Sequence, residues 1–114
     1  TYYLPRLIGR RRAMDLFLSN RVLKAQEALD WGLVNRVVPQ SALATEVDCL
    51  AAQLANGPTR AFGGVKKLML MSLSDSLESQ MERETRQIAE LSRSEDGLEG
   101  VRAFVEKRKA KFVG

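Results

Sequence analysis

The chain reads as all-α, five or six helices with at most one short extended segment. Two observations carry this. Apolar residues recur at three- and four-residue spacing through most of the 114 positions, the period of a helix with one buried face. The intervals between those stretches hold helix-ending or helix-capping residues: Gly9, Asn20, Gly32, Asn56-Gly57-Pro58, Ser74-Asp75-Ser76 and Ser94. Nothing alternates strand and helix as a parallel sheet requires.

Taken in order, residues 1–8 form a short helix, with Thr1 as a plausible cap and Pro5 tolerable only near its first turn. Gly9 permits the stop. Residues 10–19 form a second helix, apolar at Ala13, Leu16 and Phe17, and Asn20 is a reasonable exit. Arg10, Arg11 and Arg12 crowd its first turn against the helix dipole, so an anionic partner is expected nearby. Residues 25–31 make two turns ending at Gly32, with Lys24 a poor N-cap. Residues 33–38 turn β-like until Pro39.

Ser41 then caps a helix whose buried face is Leu43, Val47, Leu50, Ala51 and Leu54, and Cys49 beside Leu50 reads as packing. Thr59 starts the next, carrying Phe62, Val65, Leu68 and Met69. Gly63-Gly64 inside it costs about 1 kcal/mol per glycine relative to Ala and marks a close helix contact or a kink. Asp75 with Glu78 resembles a capping box for a helix striped by Leu77, Met81, Thr85, Ile88 and Leu91, charged on its other side. Residues 94–112 read as one last amphipathic helix. Ser94 caps it, Glu95 and Asp96 suit its positive end, and Leu98, Val101 and Val105 form a stripe with Phe104 at its border. Lys107, Arg108, Lys109 and Lys111 then suit its negative end.

Composition excludes several chemistries. There is no histidine, so Ser-His-Asp and Cys-His catalysis and histidine-ligated zinc are ruled out within these residues. One cysteine allows no internal disulfide and is compatible with a cytoplasmic location. No apolar run approaches the ~20 residues that span a bilayer, so no membrane partner is expected. The start lacks the order of a secretory signal, and a chain opening without Met inside an apolar segment is expected to be a fragment or processed product. The net charge of +4 equals that of residues 101–114, a localised cationic end suited to an anionic ligand.

That end carries a resemblance. E-G-V-R-A-F-V-E-K-R-K-A-K-F looks like the close of an enoyl-CoA hydratase/isomerase (crotonase) chain. T-Y-Y-L-P-R-L-I-G-R-R-R-A-M-D-L resembles the family's T-x-x-L-P-R-L-x-G-x-x-x-A-x-x-L. A-Q-E-A-L-D-W-G-L-V-N-R-V-V resembles A-x-E-A-L-x-x-G-L-V-x-x-V-V, and A-N-G-P-T-R-A-F-G-G-V-K-K-L resembles a later G-P-x-A-x-x-x-x-K stretch. The segments stand in the family's order, which is far more specific than any one alone.

The resemblance implies that residues 1–114 are the C-terminal helical region, for assembly and a pocket lid, of a chain more than twice as long. It implies a front domain of ββα units, absent here, supplying the oxyanion-hole N–H groups and the acid/base carboxylates. The parent would hydrate or isomerise a double bond of an acyl-CoA, as a lyase or isomerase of fatty acid metabolism, through an enolate-like intermediate. Coenzyme A would enter as the thioester substrate, with no covalently bound cofactor and no metal, and the parent would be a homo-oligomer, a trimer or hexamer. Carried over by residue, Phe104 and Lys107 would lie near the adenine and phosphates of coenzyme A. An aromatic face can stack on a purine, and an ammonium can sit near a phosphate.

No catalytic residue is assigned. Asp75/Glu78 and Asp96/Glu99 stand at helix starts, where capping explains them, and Asp30 beside Trp31 has no partner. These residues alone are expected to be inactive. Two other readings are a helix-turn-helix-like nucleic-acid binder and a pure helical self-association module. The first suffers because residues 25–31 carry Glu27 and Asp30, with Gln26 alone able to read a base edge.

Overall fold

The computed structural model describes all 114 residues and contains helices and no strand. The helices are α1 (Leu4–Ile8), α2 (Arg10–Ser19), α3 (Ala25–Asp30), α4 (Leu43–Ala55), α5 (Thr59–Met71), α6 (Leu77–Leu91) and α7 (Glu95–Val105), with a 3₁₀ turn over Gln40–Ala42. The all-α reading holds, with seven α-helices where five or six were expected. The chain forms two compact units, residues 1–44 and 45–114.

In the first unit α1 begins at Leu4, not Thr1, because Pro5 is favoured in the first turn and fixes the start beside it. Asn20 ends α2 in the left-handed conformation, its N–H bonded to the Leu16 carbonyl. The carboxylate nearest the arginine run, Asp15, borders one cleft with Arg10 and Arg11 and pairs with Arg21, while Arg12 lies over the Trp31 ring, 4.9 Å from its centroid, with Arg21 5.1 Å from the same centroid. Arg21 in turn forks onto Glu27 at 2.9 and 2.7 Å and reaches Asp15 at 3.1 Å. These bonds hold the Glu27 carboxyl below its usual range. Ile8, Ala13 and Ala28 are the buried apolar residues.

Helix α3 ends as its sequence predicts. Gly32 is left-handed (φ +73°), and the Leu33 N–H returns to the Ala28 carbonyl at 2.8 Å, the Schellman stop. Residues 33–38 then run without regular structure, not as a strand, since no second extended segment offers them a ladder. Ser41 does not cap α4 either; it lies inside the 3₁₀ turn, which Pro39 initiates by accepting the Ala42 N–H at 2.9 Å.

In the second unit the apolar faces of α4 and α6 point outward. Val47, Leu50 and Leu54 of α4 and Leu77, Met81 and Ile88 of α6 are exposed, as is Cys49, which was expected to be buried. Helix α6 meets α5 through polar residues instead. Gln80 donates to the Leu68 carbonyl at 3.3 Å, and Gln87 covers the buried Gly64, where an added Cβ would lie 2.9 Å from the Gln87 amide carbon. The glycine pair thus marks a close helix contact, at Gly64 but not at Gly63. The α6 cap is Ser76, which accepts the Ser79 N–H at 3.2 Å; Asp75 pairs with Arg83 at 2.6 Å rather than completing a box.

Ser94 caps α7 as predicted, accepting the Gly97 N–H at 3.1 Å. A Cβ on Gly97 would collide with the Leu91 carbonyl, a backbone atom that cannot step aside, whereas one on Gly63 would meet nothing. Gly97→Ala is therefore expected to lose about 1–3 kcal/mol. Gly63→Ala should gain about 0.5–1 kcal/mol from helix propensity alone. Urea unfolding of the two variants against the parent chain checks both signs.

Candidate functional site

The cationic end does not continue as helix to Phe112. Helix α7 stops at Val105, and residues 106–114 turn back along it. The stop is a second Schellman motif: the Lys107 N–H bonds the Phe104 carbonyl at 3.2 Å and the Arg108 N–H bonds the Ala103 carbonyl at 3.0 Å. Here the left-handed position, glycine in α3, is filled by Lys107 at φ +52°. A side chain in that region costs of order 1 kcal/mol and persists only where its surroundings fix it.

Two carboxylates do the fixing, and both were expected only to cap. Glu99 accepts both Arg108 terminal nitrogens, the longer bond being 2.8 Å, and also the Lys111 N–H at 2.8 Å. Arg108 Nε also bonds Glu106. Asp96, buried to 7% exposure, accepts the Val113 and Gly114 N–H groups at 2.7 and 3.1 Å. The Arg108 guanidinium first, and the Lys111 amide second, hold the Glu99 carboxyl down at about 2. Phe112 lies by Gly100 and borders, with Pro58, Leu91 and Gly97, one small pocket.

Of the two residues singled out by resemblance, Phe104 is in the last turn of α7 and Lys107 in the turn that follows it. Phe104 is 85% exposed, and Lys107, also exposed, is tied to its carbonyl by the hydrogen bond above. An open cleft of about 580 Å³ lies along one face of α7, lined by Glu95, Leu98, Glu99 and Arg102 and by Arg108, Lys109 and Lys111 of the returning segment. An exposed aromatic side chain and a set of cations thus lie toward the same end of α7, with Phe104 about half a turn round the helix from the face that borders the cleft. Sequence reasoning assigned the lysines and Arg108 to the helix dipole and missed the reversal. The one hint was Glu99 nine residues before Arg108. Of the other carboxylates weighed from the sequence, Asp30 accepts from Gln26 at 3.0 Å and Asp75 is taken by Arg83.

Two predictions follow from the turn itself. Lys107→Gly removes the left-handed penalty and is expected to raise stability by about 0.5–1 kcal/mol, net of the glycine's greater freedom when unfolded. Lys107→Ala, which keeps a Cβ, should gain nothing; chemical denaturation separates them. Because the Glu99 carboxyl titrates below its unfolded value, its contribution is complete above about pH 4.5 and fades as pH falls toward about 2. Glu99→Gln should flatten that part of a stability-against-pH curve and leave the limb above pH 5 unchanged in slope.

Known proteins are similar to this chain in sequence and fold. The family model for enoyl-CoA hydratase/isomerase matches residues 1–114. A "probable enoyl-CoA hydratase" of Rhodobacter capsulatus is 41% identical over 114 residues, covering all of this chain and 44% of the relative. The 1,2-epoxyphenylacetyl-CoA isomerase of Escherichia coli is 39% identical over 116 residues, again covering 44% of the relative. A 4-chlorobenzoyl coenzyme A dehalogenase of an Arthrobacter species is 43% identical over 88 residues, covering 77% of this chain and 32% of the relative. The crystal structure of an enoyl-CoA hydratase/isomerase from Mycobacterium abscessus superposes with a TM-score of 0.94 at 40% identity, covering 99% of this chain and 44% of that one. The chain therefore spans less than half the length of these relatives. With all 114 residues matched by the family model and the helices superposing on a solved member, the chain belongs to the enoyl-CoA hydratase/isomerase family.

Proposed function

We propose that these residues are the C-terminal helical region of an enzyme acting on acyl-CoA thioesters, and that they supply one edge of its coenzyme A site. The observation that carries this is that Phe104, exposed in the last turn of α7, and Lys107, exposed in the turn that follows, stand three residues apart in a segment rich in cations. The relatives' names support it. One is a hydratase, one an isomerase and one a dehalogenase, and the isomerase and dehalogenase are named for quite different acyl groups. What their names share is a coenzyme A thioester, so a segment similar to all of them fits the common handle better than any one reaction. In this reading Phe104 stacks on the adenine and Lys107 faces a phosphate.

The chemistry proper belongs to residues elsewhere in the enzyme: N–H donors that hold an enolate-like oxyanion, and a carboxylate that moves a proton or activates water for hydration or isomerisation. The outward apolar faces of α4 and α6 serve in assembly, covered by the remainder of the enzyme and by sister subunits of a homo-oligomer.

Titration of coenzyme A into the enzyme tests the site. Phe104→Ala and Lys107→Ala should each weaken binding by about 1–2 kcal/mol, roughly 5- to 30-fold. The Lys107 effect should shrink as salt rises and the Phe104 effect should not. Equal affinity in both variants would sink the assignment. The purified 114-residue chain should not turn over crotonyl-CoA.

A further inference from the structure

Lys107 sits in a conformation that lysine does not choose by itself, and nothing on Lys107 explains why it stays there. The explanation lies next door. Arg108 is gripped across its guanidinium, by Glu99 at both terminal nitrogens and by Glu106 at Nε. Glu99 also holds the Lys111 amide, so one carboxylate fastens the chain immediately after Lys107 and again three residues later. We infer that Glu99, acting through Arg108, is a positioning residue: it holds the turn that aims the Lys107 ammonium at the anionic part of coenzyme A. This rests on the coenzyme A reading above and adds a residue to it.

The inference has a sign that charge alone would reverse. Glu99 is an anion beside a surface proposed to bind an anion. If it acted only through its field, removing its charge would tighten coenzyme A binding, most visibly at low salt. If it acts by holding the turn, removing it lets Lys107 relax toward the right-handed or extended regions, and binding weakens. A bidentate fork is also more demanding than a charge pair. Lysine at position 108 keeps the charge but offers no fork to Glu99.

The experiment is a double-mutant cycle on coenzyme A affinity, measured by calorimetric titration of the enzyme at low salt. Glu99→Gln and Arg108→Lys are each expected to weaken binding about 3- to 10-fold. In a Lys107→Ala background Glu99→Gln should have no further effect, because there is no ammonium left to aim. Wild-type or tighter binding by Glu99→Gln overturns the inference, and so does weakening that persists undiminished in the Lys107→Ala background. Should Glu99→Gln unfold, as circular dichroism would show, Arg108→Lys decides with the same criteria. If Lys107→Ala alone leaves affinity unchanged, the coenzyme A reading falls and takes this inference with it. If Lys107→Ala weakens binding while Glu99→Gln does not, only the positioning role is lost.

Discussion

The bond between Glu99 and Arg108 is available only to a chain that has stopped being a helix. Nine residues along an unbroken α-helix is about 13.5 Å, beyond the reach of the two side chains. The same holds more strongly for Asp96 and the amides of Val113 and Gly114, which lie further apart in sequence. A continued helix would also have set Lys107 and Lys111 one turn apart as like charges. The reversal exchanges that repulsion for a forked ion pair, and it gives the N-terminal carboxylates of α7 main-chain donors to hold. Most of what is distinctive in the second unit depends on this choice: the end of α7, the return of residues 106–114 along it, and the left-handed Lys107.

Elsewhere the constraint is the lack of anything to bury against. The buried apolar side chains are small or few: Ile8, Ala13, Ala28 and Ala103. The accessible surface is 9451 Å². Two separate globules of the masses of the two units would expose only about 7,500 Å². Exposed large apolar side chains occur on every long helix, and α4 and α6 are amphipathic helices whose apolar stripes face solvent. Helices of this length draw most of their stability from such faces when they are covered, not from propensity. The units thus leave much apolar surface uncovered, and the chain matches less than half the length of each of these relatives.

What could be read from the sequence sorts by the range of the interaction responsible. Ser94 and Gly32 act within a turn of themselves, and both do what their types predict. Ser76 is local too, but a neighbouring Asp competes for the same role, and the cap falls one residue from where it was placed. Gly64 was legible as a close approach, although the helix that approaches it could not be named. The helical stripe of α6 was legible as a stripe, and its orientation was not. Periodicity says which residues share a face; whether a neighbour covers it depends on chain far away. The tail was misread for a sharper reason. Cations at a helix C-terminus and carboxylates at its N-terminus both satisfy the dipole, so a sequence meant to join them looks the same as one meant to keep them apart. Phe104 and Lys107 entered through family resemblance alone, and no spacing rule would have chosen them.

The chain contains its own control for that last turn. Helix α3 and helix α7 end in the same hydrogen-bonded motif, the first with glycine in the left-handed position and the second with lysine. The glycine version adopts the conformation at no steric cost, and its following residue needs no side-chain clamp. The lysine version is less favourable by itself, and it is the one fastened by Glu99, Glu106 and Asp96. Strain and fastening occur together, at the residue whose ammonium the proposed site uses. A glycine there would end α7 just as well and would present nothing. Under the proposed site the turn is a mount for a side chain as much as a stop for a helix, and the ion pair behind it the part that never meets the ligand.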